Sequence, residues 1–149
     1  MSRPSHNPTL TLPRGLATDV LDAARRGDRF EICGFIALGQ TAWYRYAIAN
    51  NASRAEDRFD MDAVGHIGAF KHIREHRLTL VAIYHSHPLG EAKPSIHDIR
   101  GHSYPRAACV IVAPRARIGA TIRAWHMHGG EPIERAIAMI DAPWRNGFL

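Results

Sequence analysis

The sequence predicts an α/β or α+β domain built on one curved, mixed sheet with flanking helices. Three observations lead there. Short apolar runs rich in β-branched residues, such as residues 80–84 (LVAIY) and 107–113 (AACVIVA), have the length and the boundaries of buried strands. Segments with apolar residues at helical spacing are interleaved with these runs, which favours mixed layers over an all-helical or all-strand arrangement. The chain's 149 residues, 46% hydrophobic and 22% charged, match one domain able to bury its own core. A single domain over residues 1–149 is expected, with residues 1–9 as a loose N-terminal arm containing Pro4 and Pro8.

Taken in order, residues 10–12 can add a short edge strand. Pro13 stands where a first helical residue is tolerated, and Leu16, Val20, Leu21 and Ala24 recur at helical spacing until Gly27 stops the helix. Residues 31–38 and 41–50 read as two strands joined at Gly39 and Gln40, the spacing of a two-residue hairpin. Residues 51–60 are polar and irregular. Asp62 can cap a second helix, with Val64, Ile67, Phe70 and Ile73 three apart on one face and an end near Arg77.

A strand from Leu80 then carries His85 and His87 and is closed by Pro88, which removes a ladder donor. Ser95 reads as the N-cap of a short helix from Ile96, with Asp98 at the third helical position. Residues 107–113 form another buried strand ended by Pro114, and residues 121–128 a less regular one. Residues 131–140 fit either a final strand or a short helix.

The chemistry concentrates in residues 80–98. Side chains alternate across a strand, so His85 and His87 project from the same face as a chelating pair. Asp98, one turn into the next helix, can reach back toward the strand's end. Two imidazoles and one carboxylate suit Zn²⁺, and a catalytic zinc has three protein ligands with its fourth position open, where a structural site would need one more. With this chain's own composition, HxHPx6SxxD arises by chance on the order of once in ten thousand.

These residues, His85, Ser86, His87 and Pro88 followed by Ser95, Ile96, His97 and Asp98, resemble the JAMM (MPN+) metalloprotease motif. That motif places a Glu upstream in a context like ECG, matched here by Glu31, Ile32, Cys33 and Gly34, and the likeness spans about residues 10–130. It implies a single MPN/JAMM-like domain and a zinc-dependent isopeptidase or peptidase. One Zn²⁺ per chain would be held by His85, His87 and Asp98, with Glu31 as general base and acid and Ser95 as an oxyanion donor. The implied substrate is a ubiquitin-like or sulfur-carrier protein cut after its Gly-Gly C-terminus, its tail extended in a groove.

A RadC-like DNA-repair-associated protein binding nucleic acid is the alternative, because its HxHPxGxxxPSxxD pattern is also met, including Gly90 and Pro94. The ECG-like setting of Glu31 favours the peptidase branch. A non-catalytic scaffold of the same fold would have lost the ligands that this chain keeps.

Other residues compete less well. His72, Glu75 and His76 spell HxxEH, a zinc-binding helical pattern, and are read as an exposed helical face. His126 and His128 alternate on a strand, but no SxxD follows them. Cys33 is two residues from Glu31, yet nothing marks it as an activated nucleophile; with Cys109 it is read as a reduced, buried thiol. Ser86 points away from the histidines and is read as packing. The net charge of +5 comes with arginines scattered along the chain, including Arg25, Arg74, Arg100 and Arg123, so a solvated surface or an acidic protein partner is expected and a nucleic-acid partner is not. No apolar run reaches membrane-spanning length and the N-terminus lacks the apolar region of a secretory signal, so a cytoplasmic protein with no membrane partner is expected. A homodimer is left open.

Overall fold

The computed structural model describes residues 8–52, 58–119, 121–127 and 130–148. All but the last two residues of the expected N-terminal arm lie outside that set. In chain order the elements are β1 (Leu10–Pro13), α1 (Arg14–Arg26), β2 (Cys33–Leu38), β3 (Trp43–Ile48), α2 (Ala63–Glu75), β4 (Thr79–Ser86), α3 (Ile96–Gly101), β5 (Ala108–Val112), β6 (Ile122–His126), β7 (Ile133–Arg135), β8 (Ile137–Ile140) and β9 (Trp144–Asn146).

Seven strands form one sheet in the order β7-β6-β5-β4-β2-β3-β9, and β1 pairs with β8 in a separate two-stranded sheet. Within the large sheet β4 runs parallel to β5 and β3 to β9, while the remaining pairs are antiparallel. This is the mixed α/β arrangement that the interleaved patterns predict.

The central strands read as continuous apolar runs because both of their faces are covered. On one face Ile36, Ala82, Tyr84, Val110 and Val112 pack with Leu16, Val20 and Ala24 of α1. On the other, Cys33, Phe35, Ala37 and Ile83 pack with Ala69 and Ile73 of α2. His85 follows Ile83 in the alternation and so lies on the α2 side, whereas Ser86 follows Tyr84 on the α1 side.

The α1 side also carries a buried polar link. Arg45 of β3 pairs with Asp19 of α1 and donates from Nε to the Tyr84 hydroxyl at 3.0 Å; that hydroxyl donates to the Tyr46 carbonyl at 3.3 Å. Gly34 must lack a side chain here, since a Cβ would stand 2.0 Å from the Tyr46 carbonyl oxygen and 2.4 Å from the Tyr84 hydroxyl.

Several local expectations need correction. Pro13 ends β1 and is the N-cap of α1, one residue before the first helical position. The hairpin between β2 and β3 spans residues 39–42 and is closed by the Gly39 N–H on the Ala42 carbonyl at 2.9 Å. In α2, Asp62 caps as expected by accepting from the Gly65 N–H, but Val64 is 80% and Ile67 69% exposed. The reason is geometric: nine residues at 3.6 per turn make two and a half turns, so Val64 and Ile73 lie on opposite sides of the helix. The ambiguous stretch forms strands β7 and β8, and β9 follows from a segment whose pattern carried no strand signal.

Candidate metal centre

Four side chains converge where β4 ends. The strand stops at Ser86, so His87 lies one residue beyond it rather than within it. Its N–H still donates to the Val112 carbonyl at 2.8 Å, which prolongs the extended backbone and keeps its ring on the His85 side. The two ring centroids are 5.1 Å apart and the Nε2 atoms 3.2 Å apart.

Asp98 arrives from α3 because Ser95 starts that helix. The Ser95 Oγ accepts from the Asp98 N–H at 3.2 Å, and the Asp98 Oδ2 accepts from the Ser95 N–H at 2.8 Å, a reciprocal capping box. The same carboxylate faces the histidines, with Oδ1 3.0 Å from His85 Nε2 and Oδ2 3.0 Å from His87 Nε2. Helix capping and the placement of the Asp98 carboxylate are thus one device, and Ser95 is held beside the cluster by the bond that also orients Asp98.

Glu31 enters from the chain just before β2 and is 3% exposed. One donor atom each from Glu31, His85, His87 and Asp98 can be chosen so that all four lie within 4.8 Å of one another. Among the described residues this is the only group of three or more His, Cys, Asp or Glu side chains so arranged.

The residues fit a zinc ion. Tetrahedral zinc with bonds near 2.0–2.1 Å separates neighbouring donor atoms by about 3.3 Å. The spacings of 3.0 and 3.2 Å among the imidazole and carboxylate atoms lie close to that value. The His87 Nδ1 is bonded to the Glu91 carbonyl oxygen at 2.8 Å, which leaves Nε2 as the lone-pair donor, the usual outer-shell arrangement for a ligating histidine. The Nδ1 of His85 is buried with no hydrogen-bond partner among the described residues, and its ring stacks on Phe59 at 4.7 Å.

The electrostatics of Asp98 and His85 agree with a site poised for a cation. Burial would raise the Asp98 carboxyl, but the hydrogen bonds from His85, His87 and the Ser95 N–H outweigh it and hold the group well below the usual carboxylate range. Burial lowers His85 and so favours its neutral, ligating form. His87 is shifted upward despite burial, through Asp98 and the Glu91 carbonyl.

A pocket of about 280 Å³ opens beside His85 and Asp98, with Phe59, His66 and Tyr104 among its walls. His66 Nε2 and the Tyr104 hydroxyl are hydrogen-bonded at 2.9 Å, joining α2 to the segment after α3.

The competing residues fall elsewhere. His72 meets the Tyr46 hydroxyl and stacks on His76 at 3.9 Å, while Glu75 lies 4.0 Å from Lys71. His126 is half-buried on β6, and His128 lies outside the described residues. Cys33 and Cys109 are free and buried as expected. The Cys33 thiol is pushed up to about 12 by burial, with Glu31 and Asp60 adding to the effect, so it stays protonated.

Two participants escaped the sequence reading. Phe59 sits in the segment read only as polar and irregular, where a lone aromatic was the available signal. Asn50 ends the β3 run and donates from Nδ2 to the Glu31 carbonyl at 2.9 Å; an Asn before a polar stretch reads as a turn residue, and nothing local ties it to Glu31.

Known proteins resemble this chain along most of its length. A family profile described as prokaryotic homologs of the JAB domain matches residues 13–129. A protein of Mycobacterium tuberculosis called CysO-cysteine peptidase is 25% identical over 134 residues, covering 89% of this chain and 92% of the relative. A solution structure from Desulfitobacterium hafniense superposes with a TM-score of 0.73 at 20% identity, covering 91% of this chain and 95% of the other. A JAB1/MPN domain protein from Archaeoglobus fulgidus superposes with a TM-score of 0.51 at 17% identity, covering 91% and 100%.

Proposed function

This chain belongs to the prokaryotic JAB-domain family, and from that membership we propose that it is a zinc-dependent peptidase releasing whatever is joined to the Gly-Gly C-terminus of a ubiquitin-like sulfur-carrier protein. The observation that carries the reading is the convergence of Glu31, His85, His87 and Asp98 at the end of β4. His85, His87 and Asp98 would hold one zinc, and when bound that ion supplies Lewis acidity toward a carbonyl and lowers the pKa of water.

The chain's own groups supply the rest. Glu31 takes the proton from the attacking water and returns it to the departing nitrogen or sulfur. Its burial keeps bulk water from competing for that proton. The Ser95 Oγ already accepts from the Asp98 N–H, which leaves its O–H free to donate to the oxygen that gains charge as the carbonyl becomes tetrahedral. The relative called CysO-cysteine peptidase supports a sulfur carrier bearing a small C-terminal addition as the substrate class.

The test is Glu31→Gln, which keeps the shape of the side chain and removes the base. Zinc content should be unchanged, and turnover of a Gly-Gly carrier fused to a short peptide should fall by about 10² to 10⁴. Cleavage by this variant at the wild-type rate would sink the assignment.

A further inference from the structure

We propose that Asn50 and Ser86 are positioning residues for Glu31, acting through the single peptide unit that joins Glu31 to Ile32. The inference rests on Glu31 being the base, as argued above.

Glu31 stands two residues before the first ladder pair of β2, Cys33 with Ile48 and His85, so regular pairing does not orient it. Side chains do so instead. The carbonyl of the Glu31–Ile32 peptide accepts from Asn50 Nδ2 at 2.9 Å, and the N–H of the same peptide donates to Ser86 Oγ at 2.9 Å. The Ser86 N–H adds a third bond, to the Ile32 carbonyl at 3.0 Å. A peptide plane held at both its donor and its acceptor cannot rotate, and the Glu31 Cα, which lies in that plane and carries the side chain, is fixed with it.

Ser86 is fully buried and lies on the α1 side of β4, opposite His85, so it reaches the reaction only through this peptide. It also sits between the two histidines in sequence. The strand that presents the candidate ligands therefore grips the backbone of the base directly.

Asn50 has a second task. Its Oδ1 accepts from the Ala52 N–H at 2.9 Å and the Asp60 N–H at 2.8 Å. One amide thereby joins Glu31 to residues 58–61, the pocket wall that carries Phe59 against His85. An aspartate at position 50 would keep the acceptor for residues 52 and 60 but turn a lone pair toward the Glu31 carbonyl, which isolates the effect on the base from the effect on the wall.

The experiment compares zinc-loaded Asn50→Asp and Ser86→Ala, each alone and combined with Glu31→Gln, on a Gly-Gly carrier fused to a short peptide. Each single variant should keep its zinc and a KM near wild type while kcat falls by about 10- to 100-fold, the scale of a displaced catalytic group. In the Glu31→Gln background neither substitution should cost anything more, since both act through the base. Independently of activity, hydrogen exchange at the Ile32 amide of the metal-free protein should quicken about tenfold in Ser86→Ala, which removes that amide's acceptor. Wild-type kcat in both single variants, or losses that persist undiminished in the Glu31→Gln background, would overturn the proposal. Should Ser86→Ala fail to fold, Asn50→Asp decides it alone. If Glu31→Gln itself turns over normally, the assignment of the base falls first. If Glu31→Gln is inactive while Asn50→Asp and Ser86→Ala are fully active, only the positioning role is lost.

Discussion

The Nε2 atoms of His85 and His87 stand 3.2 Å apart, and Asp98 places an oxygen 3.0 Å from each. Three donor atoms at ligand spacing predict one zinc per chain in the purified protein. His85→Ala, His87→Ala and Asp98→Ala should each lose most of it, whereas His72→Ala and His126→Ala should retain it, as read by elemental analysis per mole of protein. An empty site in His72→Ala would transfer the metal to the HxxEH run on α2.

The capping role of Ser95 and its proposed role as an oxyanion donor are separable. As an N-cap its loss should lower stability by about 0.5–2 kcal/mol, seen as a modest drop in Tm. As an oxyanion donor its loss should lower zinc-normalised turnover by about 10² to 10³. Ser95→Thr, which keeps the hydroxyl, should recover most of both. A Ser95→Ala enzyme with the Tm drop but nearly full turnover would leave this serine a cap and nothing more.

Gly34→Ala should abolish folding or leave a grossly destabilised protein, measured by thermal melting. The added Cβ would lie 2.0 Å from the Tyr46 carbonyl oxygen, a backbone atom that cannot step aside without opening the β2–β3 ladder. Tyr84→Phe should relieve little of this, because the ring carbon at 2.5 Å remains in place. A Gly34→Ala melting curve like wild type would show that the approach of β3 to β2 is looser than described.

The grouping of the candidate site residues was partly legible in the sequence, for a physical reason. Ser95 and Asp98 are neighbours on one helical turn, and His85 and His87 neighbours on an extended backbone, so local periodicity alone puts each pair together. Glu31 and Asn50 are different. They meet across a hairpin, and only the β2–β3 and β2–β4 registers bring the first to the histidines and the second to the first. The misjudged face of α2 came from counting apolar residues at a strict period of three, which drifts around a helix of 3.6 residues per turn. Strand β9 was invisible because Trp144–Asn146 has no alternation of its own and owes its pairing to Trp43–Arg45.

The substrate prediction follows from how deep the candidate site residues lie. Glu31 is 3%, His85 2% and Asp98 7% exposed and His87 is half-buried, so a scissile carbonyl has to enter a recessed site before it can meet them. A residue with a Cβ beside that carbonyl would press on the walls and hold the carbon short of attack distance, and a misplacement of about 1 Å can cost about 100-fold in rate. Glycine at the last two positions of the carrier removes that obstacle. The pocket of about 280 Å³ beside His85 leaves room for more than one kind of departing group. Mass spectrometry of carrier fusions should therefore show cleavage after Gly-Gly, abolished by a chelator and restored by zinc. Replacing the final glycine by valine should slow it by about 10²-fold, with a smaller effect from changing the residue that departs. Equal cutting of glycine and valine tails would rule out this substrate class, as would no cutting of either together with tight, salt-sensitive DNA binding.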